Sequence, residues 1–112
     1  MPNAVFYVSY KLKKGASVPD FLLAAEKLNN EYMSKQKGYI SWKQLVDGDM
    51  WVDFLTFETM EDAKRVEESD SPNELAEKFY SFINFNSCKQ HFFTVERSYG
   101  EANITSFDDD EL

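Results

Sequence analysis

Thiol, imidazole and backbone punctuation are all scarce in this chain. Its 112 residues include one cysteine, one histidine, three prolines and four glycines. A lone Cys88 cannot close an intrachain disulfide, so nothing here calls for an oxidising compartment. No apolar run approaches the ~20 residues that a membrane-spanning helix needs. The apolar residues 4–10 are followed, not preceded, by Lys11, Lys13 and Lys14, the reverse of a secretory signal. A cytoplasmic protein with no membrane partner is the expectation. Basic residues are also few, 12 Lys and Arg against 20 Asp and Glu, for a net charge of −8. Five of the acids and none of the bases fall in residues 101–112, so residues 1–100 hold 12 bases against 15 acids, a net of −3. Phosphate binding needs clustered Lys and Arg, and Lys11, Lys13 and Lys14 form the one dense cluster. Nucleic acid is not an expected partner.

What the chain does have is apolar and aromatic bulk. Hydrophobic residues make up 43% and aromatics 16%, with ten Phe, six Tyr and two Trp. That is enough to build one core, and the length allows only one. Residues 1–99 read as a single domain and residues 100–112 as an acidic C-terminal tail.

The local signals come in a definite order. Residues 4–13 alternate as a strand, closed by Gly15. Ser17, Pro19 and Asp20 open a helix, and Phe21, Ala25, Leu28 and Tyr32 form its apolar stripe, with Gly38 as its stop. Two strand-like runs, 39–46 and 49–57, flank Asp47-Gly48, a hairpin signal in which both turn positions would take positive φ. Thr59 caps a second helix that breaks near Ser69-Asp70. Ser71-Pro72-Asn73-Glu74 restarts it as a capping box, with Leu75, Phe79 and Phe82 as its buried stripe. A polar turn at 84–87 then leads into a strand over 88–98. The order β-α-β-β-α-β predicts a ferredoxin-like α+β domain, a four-stranded antiparallel sheet with helices on one face.

Such a sheet leaves its second face open, yet the strands are apolar on both sides. Trp51, Leu55 and Phe57 oppose Met50, Val52 and Phe54, and Phe92 opposes Phe93 and Val95. A sheet wetted on one face should alternate cleanly between apolar and polar. Something must cover the second face, and a second copy of the chain, as a homodimer, is the simplest cover.

The segments "VSYKLKKG", "KGYISWKQL" and "DGDMWVDFLTFETMEDAKR" resemble the dimeric α/β-barrel superfamily, and within it the antibiotic-biosynthesis-monooxygenase-like proteins. The resemblance spans about residues 4–98 and rests on patterns of residue type. It implies a subunit whose sheet packs on a partner's to make a shared barrel, with a pocket between sheet and helices. It also implies cofactor-independent oxygenation or isomerisation of an aromatic or polyketide-like compound, or a non-catalytic ligand-binding or structural dimer. Haem degradation, another activity of the group, uses an Asn on the first strand and a Trp and a His on the helix after the third. Val8 and Tyr10 occupy the first strand here, no Trp follows Trp51, and no His lies between Thr59 and Ser87. That activity is excluded, and no cofactor is called for.

Two residues are candidate bases. Asp53 places a carboxylate in an otherwise apolar row with Trp51, Leu55 and Phe57; burial would raise its pKa and suit it to deprotonate an activated carbon acid. The plainer alternative is an ion pair with a partner's Lys or Arg at a dimer seam. His91, on the last strand, is the other candidate, against the plainer reading of a half-buried strand histidine. Cys88 and His91 are three apart on an extended strand and point to opposite faces, so no metal site is proposed. Tyr10, Trp42, Trp51 and Phe57, with Tyr39 beside them, are candidates to stack on a flat substrate, or else are core. Met1-Pro2 offers a further reading, a tautomerase with the Pro2 amine as base. A cavity of a few hundred Å³ beside Asp53 would favour the enzyme; a site packed solid by aromatics would favour the structural protein.

Overall fold

The computed structural model describes residues 2–69 and 73–100. The acidic tail from residue 101, and Ser71 and Pro72 of the expected capping box, lie outside the described residues. Strand β1 (Ala4–Leu12) leads to helix α1 (Val18–Glu31), a single 3-10 turn (Met33–Lys35), and the hairpin of β2 (Tyr39–Asp47) and β3 (Met50–Phe57). Two short helices, α2 (Met60–Glu67) and α3 (Glu74–Tyr80), precede the last strand, β4 (Ile83–Thr94). The sheet order is β2-β3-β1-β4 with every neighbouring pair antiparallel, the ferredoxin-like arrangement.

The expected barrel is not there. The sheet is open: β2 and β4 are its two edges and do not pair with each other. Four twisted strands are too few to close on themselves, since even the small barrels use about eight. The helices cover one face instead. Phe6, Val8 and Tyr10 of β1, and Trp51, Asp53, Leu55 and Phe57 of β3, point to that side. Phe21, Leu28, Ala63 and Phe79 meet them there in the buried core.

Local chemistry accounts for the boundaries. Ser17 Oγ accepts from the Asp20 backbone N–H at 3.3 Å and Thr59 Oγ1 from that of Asp62 at 3.0 Å, which starts α1 and α2 where the caps predict. Helix α1 ends one residue short of Tyr32, and the 3-10 turn follows; its Met33 is buried. Gly38 therefore lies in the turn that leads into β2 rather than stopping the helix. At φ +81 a side chain is strained, and a Cβ there would overlap the Asp62 carboxylate. Helix α3 is capped by Asn73, whose Oδ1 accepts from the N–H groups of Leu75 and Ala76, and Phe82 lies just beyond its end.

Two turns differ from expectation. In the hairpin, Asp47 pairs with Met50, so the loop is Gly48-Asp49, and Gly48 alone has positive φ, +61. Glycine at the first central position is the primed-turn alternative that spares the second residue a left-handed conformation. Residues 84–87 do not precede β4 but interrupt it. Ser9 pairs with Lys89 and Lys11 with Asn84, so four residues, 85–88, bulge opposite Tyr10. The displaced ladder is repaired by side chains: Lys11 N–H donates to Ser87 Oγ at 2.8 Å, and Ser87 Oγ donates to the Asn84 carbonyl at 2.6 Å.

Candidate functional site

Asp53 lies on β3, an inner strand, directly between Val8 of β1 and Gln44 of β2. Two residues further along those neighbours stand Tyr10 and Trp42, within diagonal reach of its carboxylate. Tyr10 Oη donates to Asp53 Oδ1 at 3.0 Å and Trp42 Nε1 donates to the same oxygen at 3.1 Å. Among the described residues no donor reaches Oδ2. Asp53 is 5% exposed and Tyr10 2%. Gln44 Nε2, across the strand, is buried without a hydrogen-bond partner among the described residues.

Burial dominates the electrostatics here. Desolvation pushes the Asp53 pKa up to about 7, opposed by the hydrogen bonds from Trp42 and Tyr10, which favour the carboxylate. Tyr10 is pushed far above the usual phenol range by burial first and by the Asp53 charge second. The same two causes, in the same order, raise the Tyr80 hydroxyl and the Cys88 thiol. A titrating carboxyl in a row of phenols that do not titrate is poised to exchange a proton near neutrality.

The carboxylate adjoins a cavity of about 290 Å³ between the sheet and the helices. Its floor is Phe6, Val8, Tyr10, Trp42 and Leu55, and Leu28, Val66, Phe79 and Tyr80 wall it from the helices. The bulge of β4 brings in Phe85 and Cys88, with Gln90 beyond. The segment read as a polar turn thus contributes Phe85, and not its polar side chains, to the cavity lining.

The candidates divide accordingly. Asp53, Tyr10 and Trp42 come together at the cavity. Trp51 packs edge-on against Phe21, ring centres 5.2 Å apart, and does not line it. Phe57 is fully buried against Tyr39. His91 is exposed on the opposite face of the sheet, stacked on Phe93 at 5.7 Å and beside Tyr7. Pro2 is exposed and outside the cavity lining. Phe79 was legible as helix stripe, but nothing in the local pattern marked Tyr80, Phe85, Gln90 or Glu67 as its neighbours around one hollow. They come from three elements, α2, α3 and β4, that only the fold brings together.

The fold is similar to that of solved structures that include a cofactor-independent oxygenase and candidate antibiotic biosynthesis monooxygenases. SnoaB, a cofactor-independent oxygenase from Streptomyces nogalater, superposes with a TM-score of 0.71 at 10% identity, over 90% of this chain and 100% of its own. A candidate antibiotic biosynthesis monooxygenase from Bacillus cereus gives 0.60 at 19% identity, covering 89% of this chain and 99% of that one. A dimeric protein of unknown function and ferredoxin-like fold from Bacteroides fragilis gives 0.57 at 12%, over 82% and 95%. No protein-family model and no curated protein sequence matches the chain. At these identities the likeness is one of fold. No helix among the described residues is long and apolar enough to cross a membrane.

Proposed function

We propose that the chain binds a small, largely apolar compound in the cavity between its sheet and helices. Asp53 there acts as proton acceptor in a cofactor-independent oxygenation or isomerisation of an aromatic or polyketide-like substrate. One observation carries the reading: a carboxylate only 5% exposed borders an open, aromatic-walled volume of about 290 Å³ instead of an ion-pair partner. Tyr10 and Trp42 hold Oδ1 and leave Oδ2 to the ligand. Oδ2 takes a proton from an activated C–H or O–H, leaving a delocalised carbanion or phenolate. Return of that proton to a different carbon is isomerisation. Combination of the carbanion with dioxygen, the substrate supplying the electrons, is oxygenation. The fold shared with SnoaB supports the second outcome. His91 and Pro2 lie away from the cavity, which favours Asp53 as the base. The open volume argues against a purely structural protein with a site filled by its own aromatics.

A homodimer accompanies this reading. The face of the sheet away from the helices carries Leu45, Met50 and Phe93, 46%, 42% and 50% exposed, around half-buried Tyr7 and Phe54. A second copy covers such a face most simply, because the surface is then complementary to itself.

The test of the catalytic reading is oxygen uptake and solvent-deuterium exchange with anthrone- and naphthol-type carbon acids. Asp53→Asn should slow turnover by at least about 100-fold, the usual loss of a general base. The wild-type rate should rise with pH through about 7, where Asp53 ionises. Turnover that survives Asp53→Asn would discard the base.

A further inference from the structure

The charge balance inside the cavity defines what it can hold. Among the described residues no Lys, Arg or His lines it, whereas two acids do: Asp53 at the floor and Glu67 at the α2 wall. The nearby lysines are engaged elsewhere, Lys64 over the Phe92 ring at 5.7 Å and Lys78 over Phe82 at 5.3 Å. The remaining titratable groups coupled to Asp53 are Tyr10, Tyr80 and Cys88, each raised by desolvation first and by the Asp53 charge second. Asp53 is thus a carboxylate more than nine-tenths buried, with Oδ2 taking no hydrogen bond among the described residues, that lines a volume with no described cation in its walls.

We infer that this cavity selects its ligands by charge. It admits a one- or two-ring apolar body that carries a hydrogen-bond donor and arrives neutral or as a cation, and it rejects carboxylates and phosphate esters. The inference rests on the proposed function and narrows its substrate class. A neutral X–H donor gives its proton to the carboxylate and becomes an anion, so the transfer leaves the net charge of the cavity unchanged. A preformed anion would add a charge beside the buried Asp53 carboxylate, where repulsion costs several-fold more than between exposed charges in water. A protonated amine goes further than a neutral donor: it cancels the Asp53 charge and lies among the faces of Trp42, Phe79 and Tyr80, which attract cations. The volume, about 290 Å³, sits at the small end of ligand sites and fits one or two rings.

The experiment is isothermal titration calorimetry of the full chain with three probes of one shape, naphthylmethylamine, naphthylmethanol and naphthoate. The amine should bind at least about tenfold more tightly than the alcohol, as a charge-assisted hydrogen bond exceeds a neutral one, and the carboxylate should not bind measurably. Amine affinity should rise about tenfold between about pH 6 and about pH 8 as Asp53 ionises, while alcohol affinity stays flat. Asp53→Asn, with its fold checked by a thermal melt, should bring amine and alcohol together. Naphthoate binding as tightly as the alcohol overturns charge selection and leaves the small-molecule reading standing. If no probe binds, or if amine and alcohol stay apart in Asp53→Asn, the site itself has been wrongly assigned.

Discussion

The Asp53 carboxylate at the floor of the cavity makes the stability of the fold depend on pH. Asp53 titrates near 7 when folded and near the ordinary carboxylate value of 3.8 when unfolded. Between those values the folded chain holds a proton that the unfolded chain has released, so stability falls as pH rises through that window. The loss is on the order of 4 kcal/mol if the whole difference is expressed. Asp53→Asn keeps an oxygen for Tyr10 and Trp42 but has no charge to bury. Urea unfolding at about pH 5 and about pH 7.5 should show a fall for the wild type that is largely absent from the variant, which should be the more stable at the higher pH. An equal fall in both proteins would place the pH dependence elsewhere. A group that destabilises the fold under working conditions and is nevertheless buried is characteristic of a functional site.

Among the elements, the β2–β3 hairpin illustrates how much of the fold was readable. The glycine, the loop length and the two flanking strands were all legible, because turn chemistry is local. The pairing register was not, since it moved the loop by one residue, to Gly48-Asp49, and register answers to side-chain packing across the sheet. A Cβ on Gly48 would touch nothing within 4 Å, so its φ of +61 is the whole penalty of substitution. Gly48→Ala should therefore cost about 1 to 2 kcal/mol, seen as a lower urea midpoint with an unchanged slope. A neutral result would mean the turn can switch type. The β4 bulge is the counterpart: Asn84 to Ser87 carried a turn signal, and the turn is there, but only pairing with β1 decided that it would fall inside a strand.

For the molecule as a whole, the open sheet face is the largest consequence of the topology. Phe54 and Leu55 are adjacent, and the pleat sends them to opposite sides: Leu55 into the core at 6% exposed, Phe54 onto the open face. Leu55→Asp should cost about 4 kcal/mol or more and prevent folding, because its charge would have no partner. Phe54→Asp should remain folded and sediment as a monomer, while the wild type melts higher at higher protein concentration. A wild type that sediments as a monomer at micromolar concentration would remove the homodimer.

The order of elements, the caps at Ser17 and Thr59, the two apolar faces of the first, third and fourth strands and the anomaly of Asp53 were determined by the sequence alone. Each depends on residues within a few positions of one another, where periodicity, capping and turn chemistry act. Tertiary structure decided the rest. It separated Trp51 and Phe57 from the cavity while joining Tyr10 and Trp42 to Asp53 from two different strands. It turned His91 to the opposite face and left the sheet open instead of closed into a barrel. The physical reason is distance along the chain: Tyr10 lies 43 residues from the carboxylate it binds, and no local preference encodes a contact of that span. Only the register of the strands and the packing of the helices above them bring it about.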